Sequence, residues 1–106
     1  MKRVYLFCSA GMSTSMLASK MQSVADEHNI PVKVAAYPHH KLSDIVDTDC
    51  PDCILLGPQV KYMYNDTVEK YSDKNVPIAV IDAGAYGMMD GEKVLKTAIK
   101  LIKANK

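Results

Sequence analysis

Within seven residues of Cys8 stand Ser9, Gly11, Ser13, Thr14 and Ser15, so a thiol is set ahead of four hydroxyls and a glycine. A thiolate is a nucleophile, and residues as small as Ser9, Ala10 and Gly11 let successive backbone N–H groups converge on one point. Such a nest holds an anion without charged side chains. A helix beginning there adds its unpaired N–H groups and its dipole to the same field, which also favours the thiolate. Ser9, Ser13, Thr14 and Ser15 offer hydroxyl donors, and Gly11 eases a sharp turn. Together these residues suit a cysteine that takes up a phosphoryl group covalently. The plain alternative is that Cys8 is a small buried hydrophobe and Ser13 merely a helix N-cap.

The surrounding elements decide between those readings. Val4 to Cys8 is a continuous apolar run, as expected of a strand covered on both faces. From Ser13 the period changes: Leu17, Met21, Val24 and His28 share a helical face, and Asn29 with Pro31 ends the helix. Val32 to Tyr37 reads as a second strand, followed by a short helix around Leu42, Ile45 and Val46. Cys53 to Leu56 is a third strand closed by Gly57-Pro58, and Val60, Met63, Tyr64, Thr67 and Tyr71 fall on one helical face. Pro77 to Ile81 is a fourth strand, and Asp82 to Met89 a glycine-containing loop. Val94, Leu95, Ala98, Leu101 and Ile102 form the stripe of a last helix with Asp90 as its N-cap.

Four strands alternating with four helices predict an α/β domain, a four-stranded parallel sheet with helices on both faces. Ligands of such sheets collect outside the carboxyl ends of the strands. The loops on that edge are Cys8 to Ser15, Tyr37 to His40, Gly57 to Gln59, and Asp82 to Met89. A strand-end thiol facing a small-residue loop and a helix start is therefore where a phosphate-handling nucleophile belongs.

At 106 residues the expectation is one domain, residues 1–106, with a formal charge of +1 that gives no footprint for nucleic acid or anionic membrane. No apolar run approaches the ~20 residues that span a bilayer, and no secretory leader pattern precedes Val4, which points to the cytosol. Three cysteines in a reducing compartment argue for thiols rather than a disulfide framework.

Other candidates are weaker. Cys50-Pro51-Asp52-Cys53 is a lone C-x-x-C at the start of the third strand, about 13 Å from the carboxyl edge at 3.3 Å per residue. Packing of Cys53 and a loop position for Cys50 are expected; no metal site or cofactor is. His39 and His40 lie on the carboxyl edge, where a docking or direct phosphohistidine role competes with simple solvation. His28 belongs to the last turn of the first helix, near its negative end. Met12, Tyr86, Met88 and Met89 cluster on carboxyl-edge loops and suit an adaptable docking surface, or else cover the core. A receiver-like or nucleotide-binding module is disfavoured, since Phe7-Cys8-Ser9 supplies no acidic magnesium ligands and no P-loop motif is present.

Low-molecular-weight tyrosine phosphatases have a similar strand, loop and helix, with an arginine six residues after the cysteine, where this chain has Thr14. The segments "YLFCSAGMSTSMLASKM", "ILLGPQVKYM" and "VIDAGAYGMMDG" bring a closer resemblance, to the enzyme IIB component of the bacterial phosphoenolpyruvate-dependent sugar phosphotransferase system (PTS), lactose/cellobiose (chitobiose) family. It covers almost the whole chain. The resemblance implies strand order 2-1-3-4, an architecture similar to that of the phosphatases, and Cys8 at the topological switch point. It further implies that Cys8 receives a phosphoryl group from a phosphohistidine of enzyme IIA. The group then passes to a disaccharide bound in the membrane component IIC. Residues Ser9 to Ser15 would cradle the phosphate through backbone N–H groups. The chain departs from the family mainly in "PHHKLSDIVDTDCPDC", and the identity of the disaccharide is not written in it. The alternative is a small cysteine-dependent phosphatase.

Overall fold

The structure is a computed structural model that describes residues 2–9 and 11–104, the side chains of residues 11–13 excepted. Strand β1 (Lys2–Cys8) leads into helix α1 (Gly11–Glu27), then β2 (Val32–Pro38), a 3-10 turn (His39–Lys41) and α2 (Leu42–Asp49). β3 (Cys53–Leu56) follows, with 3-10 turns (Pro58–Met63) running into α3 (Tyr64–Lys70). A further 3-10 turn (Ser72–Lys74), β4 (Ile78–Val80), the short α4 (Ala83–Gly87) and α5 (Gly91–Ala104) complete the order. All strand pairs are parallel and the sheet order is β2-β1-β3-β4. The predicted sheet and its order are borne out.

Alternation along the central strands sorts the core. Val4 and Leu6 of β1 and Cys53 and Leu55 of β3 point to the side covered by α1 and α5, where Leu17, Met21, Val94 and Leu95 pack on them. Tyr5, Phe7, Ile54 and Leu56 point the other way, onto Leu42 and Val46 of α2, with Val60 and Tyr71. By the same parity Cys8 belongs to the α1 side.

Several boundaries differ from the expectation. Helix α1 starts at Gly11 rather than Ser13, and its buried stripe is Thr14, Leu17, Ala18, Met21 and Ala25. Val24 is only partly buried and His28 lies beyond the helix, exposed to water. The anticipated helix from Val60 to Tyr71 begins as 3-10 turns, because Pro58 opens it and Val60 (φ −117°, ψ 25°) breaks the helical run. The expected loop from Asp82 to Met89 contains a fifth helix, α4, capped by Asp82 Oδ2, which accepts the Ala85 N–H at 2.9 Å. Asp90 is the N-cap of α5 as expected, its Oδ1 accepting the Lys93 N–H at 3.1 Å.

The start of α5 presses against α1. A Cβ on Gly91 would lie 2.9 Å from the Lys20 carbonyl carbon and the Met21 nitrogen, so only glycine allows this approach. The helix carrying the thiol-side loop is thus wedged between sheet and α5.

Candidate functional site

Cys8 is the last residue of β1 and is fully buried; Ser9 beside it is exposed, and α1 begins at Gly11. The chain therefore passes from strand to helix through two residues. The N–H groups of residues 11–13, the first three of α1, have no acceptor within the helix, and they form the positive end of its dipole. Gly11 acts as a helical residue rather than as the anticipated turn. Ala10, and the side chains of Met12 and Ser13, lie outside the described residues.

Two neighbours hold the peptide of Cys8. Opposite Cys8, β2 ends at Pro38, which has no N–H to offer. The chain then turns, and His39 Nδ1 lies 3.3 Å from the Cys8 carbonyl oxygen. Because a carbonyl only accepts, this hydrogen bond requires the proton on Nδ1. His39 is thus tied to the backbone of the cysteine, while His40 is exposed with its ring edge-on to His39.

On the other flank, the Gly57 N–H donates to the Phe7 carbonyl at 2.8 Å, and a Cβ at Gly57 would stand 3.0 Å from Cys8 Cβ and 2.8 Å from Gln59 Oε1. Gly57 is a wall of the cysteine's site. The sequence places Gly57 at the end of the third strand and in a carboxyl-edge loop, but not as a neighbour of Cys8.

Of the anticipated hydroxyl donors, Ser9 and Ser15 are exposed. Thr14 is fully buried, and its Oγ1 lies 3.1 Å from the hydroxyl of Tyr86, in a hydrogen bond that either group can donate. The candidate docking residues divide in the same way. Met88 is 82% exposed, Tyr86 turns inward onto Thr14, and Met89, at φ 55°, packs partly against the core.

The other thiols are placed differently. Cys50 is exposed and closes α2 in the left-handed conformation. Cys53 is buried opposite Val4, about four residues or 13 Å from Cys8 along the sheet. Burial, with the charge of Asp52 adding, pushes the Cys53 thiol up to about 12, so it is inert near neutral pH. No cluster of three or more metal-ligating side chains occurs among the described residues.

Arg3 is the only arginine in the chain. It sits at the start of β1, its guanidinium donating to the Asp49 carbonyl and its backbone N–H to Asp52 Oδ2 at 2.8 Å. Five residues from Cys8, about 16 Å along the strand, it cannot serve as a phosphate clamp.

A family model for the lactose/cellobiose-specific IIB subunit of the PTS matches residues 3–97. The chain belongs to that family. It is 39% identical over 104 residues to the galactose-specific EIIB component of Lactococcus lactis subsp. cremoris, covering 95% of this chain and 96% of that protein. It is 38% identical over 104 residues to the cellobiose-specific EIIB component of Lactococcus lactis subsp. lactis, covering 95% and 96%. The solution structure of a cellobiose-specific IIB component from Borrelia burgdorferi superimposes with a TM-score of 0.79 at 36% identity, over 99% of this chain and 94% of that one. The IIB resemblance is thereby borne out, and with it the role of a sugar phosphoryl carrier and phosphotransferase working with enzyme IIA and the membrane component IIC. The IIB chain meets both partners without a membrane span of its own among the described residues, where no helix is long and apolar enough to cross a bilayer.

Proposed function

We propose that Cys8 is the residue of this IIB protein that carries the phosphoryl group. The observation that supports it most is the position of Cys8 at the carboxyl end of a central strand, two residues before the N-terminus of α1. In this reading the Cys8 thiolate attacks the phosphorus of the IIA phosphohistidine. The S–P bond forms as the P–N bond breaks, and the imidazole leaves as the neutral base after taking up a proton. A sugar hydroxyl bound in IIC then attacks the same phosphorus; its proton is lost to a base, and the thiolate departs. The charge on the transferred group is met by N–H dipoles of Ser9 to Ser15 rather than by cations. The broad cavities, about 450 and 420 Å³, open at the amino edge of the sheet around Lys2. That arrangement fits a carrier whose phosphoryl group is handed between proteins at an exposed edge.

The acceptor is proposed as a disaccharide of the cellobiose, chitobiose or lactose type, the working place as the cytoplasm at the face of IIC, and the docking edge as Met12 with the Tyr86 to Met89 segment. Incubation with phosphorylated IIA should add one phosphoryl group by intact mass, mapping to Cys8, and Cys8→Ser should add none. Phosphate mapping to His39, His40 or a serine would overturn the assignment. The isolated protein should not turn over p-nitrophenyl phosphate, since it has no arginine near Cys8.

A further inference from the structure

We infer that Tyr86 is a positioning residue for phosphoryl transfer, acting through Thr14 on the first turn of α1. The inference rests on the carrier reading above. Thr14 is the fourth residue of α1 and closes its first turn, directly after the three helical residues whose N–H groups have no acceptor within the helix. Its side chain is fully buried, and Tyr86 Oη lies 3.1 Å away, across 72 residues of chain. A buried hydroxyl without a partner is costly, so each of these groups fixes the other.

Tyr86 is itself held. It lies on α4, a five-residue helix too short to persist without tertiary support. The Tyr86 N–H donates to the Asp82 carbonyl at 2.9 Å, Asp82 Oδ2 caps the Ala85 N–H, and the Asp90 N–H returns to the Ala85 carbonyl at 2.9 Å. The phenol is presented from this anchored turn to the helix beside Cys8. Thr14 stands where the phosphatases carry their arginine, and here that position is tied back to the fold instead of reaching for phosphate. The bond keeps the N-terminal turn of α1 from rotating or fraying, so the N–H groups keep their aim while the phosphoryl group arrives and leaves.

The test compares wild type, Tyr86→Phe, Thr14→Val and the double variant. Single-turnover phosphorylation by saturating phosphorylated IIA should fall about two- to tenfold in Tyr86→Phe, the range of one buried hydrogen bond. The double variant should be no slower than the slower single, because both remove one shared interaction. Inorganic phosphate titrated into isotope-labelled protein should move the amide resonances of residues 11–15 in wild type and bind several-fold more weakly to Tyr86→Phe. A role confined to core packing predicts a lower melting temperature with unchanged phosphate affinity and turnover rate, and that result would overturn the inference, as would multiplying effects in the double variant. Failure of the wild type to accept phosphate from IIA would instead remove the carrier reading, while the phosphate titration would still decide the role of Tyr86.

Discussion

The two edges of the sheet each bury a cysteine on the same side of the same core, and they make opposite things of it. Cys8 and Cys53 are both 0% exposed, and by strand parity both belong to the α1 and α5 side. Cys53 begins β3, with Val4 as its partner on β1 and Leu55 beyond it, and burial raises its thiol out of the reactive range. Cys8 ends β1 two residues before the start of α1, and the His39 ring bonds its carbonyl oxygen. Burial alone does not determine what a cysteine does. The end of the strand on which it sits decides which fields act on it.

The comparison breaks most sharply on exchange of each sulfur for oxygen. Cys8→Ser should fold normally and lose all phosphoryl transfer. Cys53→Ser should keep transfer and lose about 1–3 kcal/mol of stability, because it buries a hydroxyl among apolar neighbours. Denaturant titration and intact mass after exposure to phosphorylated IIA separate the two, and loss of transfer in folded Cys53→Ser would defeat the distinction.

Alkylation at neutral pH sharpens the same contrast. Cys50, exposed, should react first, and Cys8 should react faster than Cys53, with inorganic phosphate protecting Cys8 alone. Peptide-resolved mass spectrometry reads the order, and equal rates at Cys8 and Cys53 would show that the strand end confers nothing.

The amino edge should announce itself in the alkaline stability profile. The Cys53 thiol rises from 9.0 in the unfolded reference to about 12 in the fold, so the folded state holds its proton more tightly. That contribution is complete below pH 9 and is lost as pH climbs to about 12. Burial, and the hydrogen bond that Tyr5 donates to Asp49 at 2.8 Å, raise the Tyr5 hydroxyl and act in the same direction. Chemical denaturation across this window should show a falling midpoint, and Cys53→Ala should flatten its first part. A midpoint unchanged up to pH 11 would contradict it.

The smallest effect on the fold is expected at Met88. Being 82% exposed, it should accept Met88→Asp within about 0.5 kcal/mol of wild-type stability, while transfer from IIA and to IIC both weaken. Transfer kinetics unchanged with both partners would remove Met88 from the docking edge.

Much of this was legible along the chain. The continuous run from Val4 to Cys8 announced a strand covered on both faces, and the changes of period announced the helices; the small residues after Cys8 are what suggest the anion site proposed above. The misplacements have local causes. The sequence offers Thr14 as a hydroxyl donor to the loop after Cys8; in the fold that hydroxyl is buried on Tyr86, a partner nothing nearby in sequence reveals. The sequence reads the segment of α4 as a loop, since Gly84 and Gly87 lower helix propensity; the Asp82 cap and the packing of Ala85 and Tyr86 override it. The helix expected from Val60 tightened into 3-10 turns where Pro58 sets the first backbone angle.

By itself the sequence determined that four strands would alternate with helices and that a thiol would stand between the first strand and the first helix, because periodicity and residue size act within a few positions of the chain. Only the tertiary structure decided that His39 would take the carbonyl of Cys8, that Gly57 would leave room beside it, and that Thr14 would be bound to Tyr86. Those contacts join residues 31 to 72 positions apart, and they exist only because the order β2-β1-β3-β4 brings the carboxyl ends of separate strands to one edge.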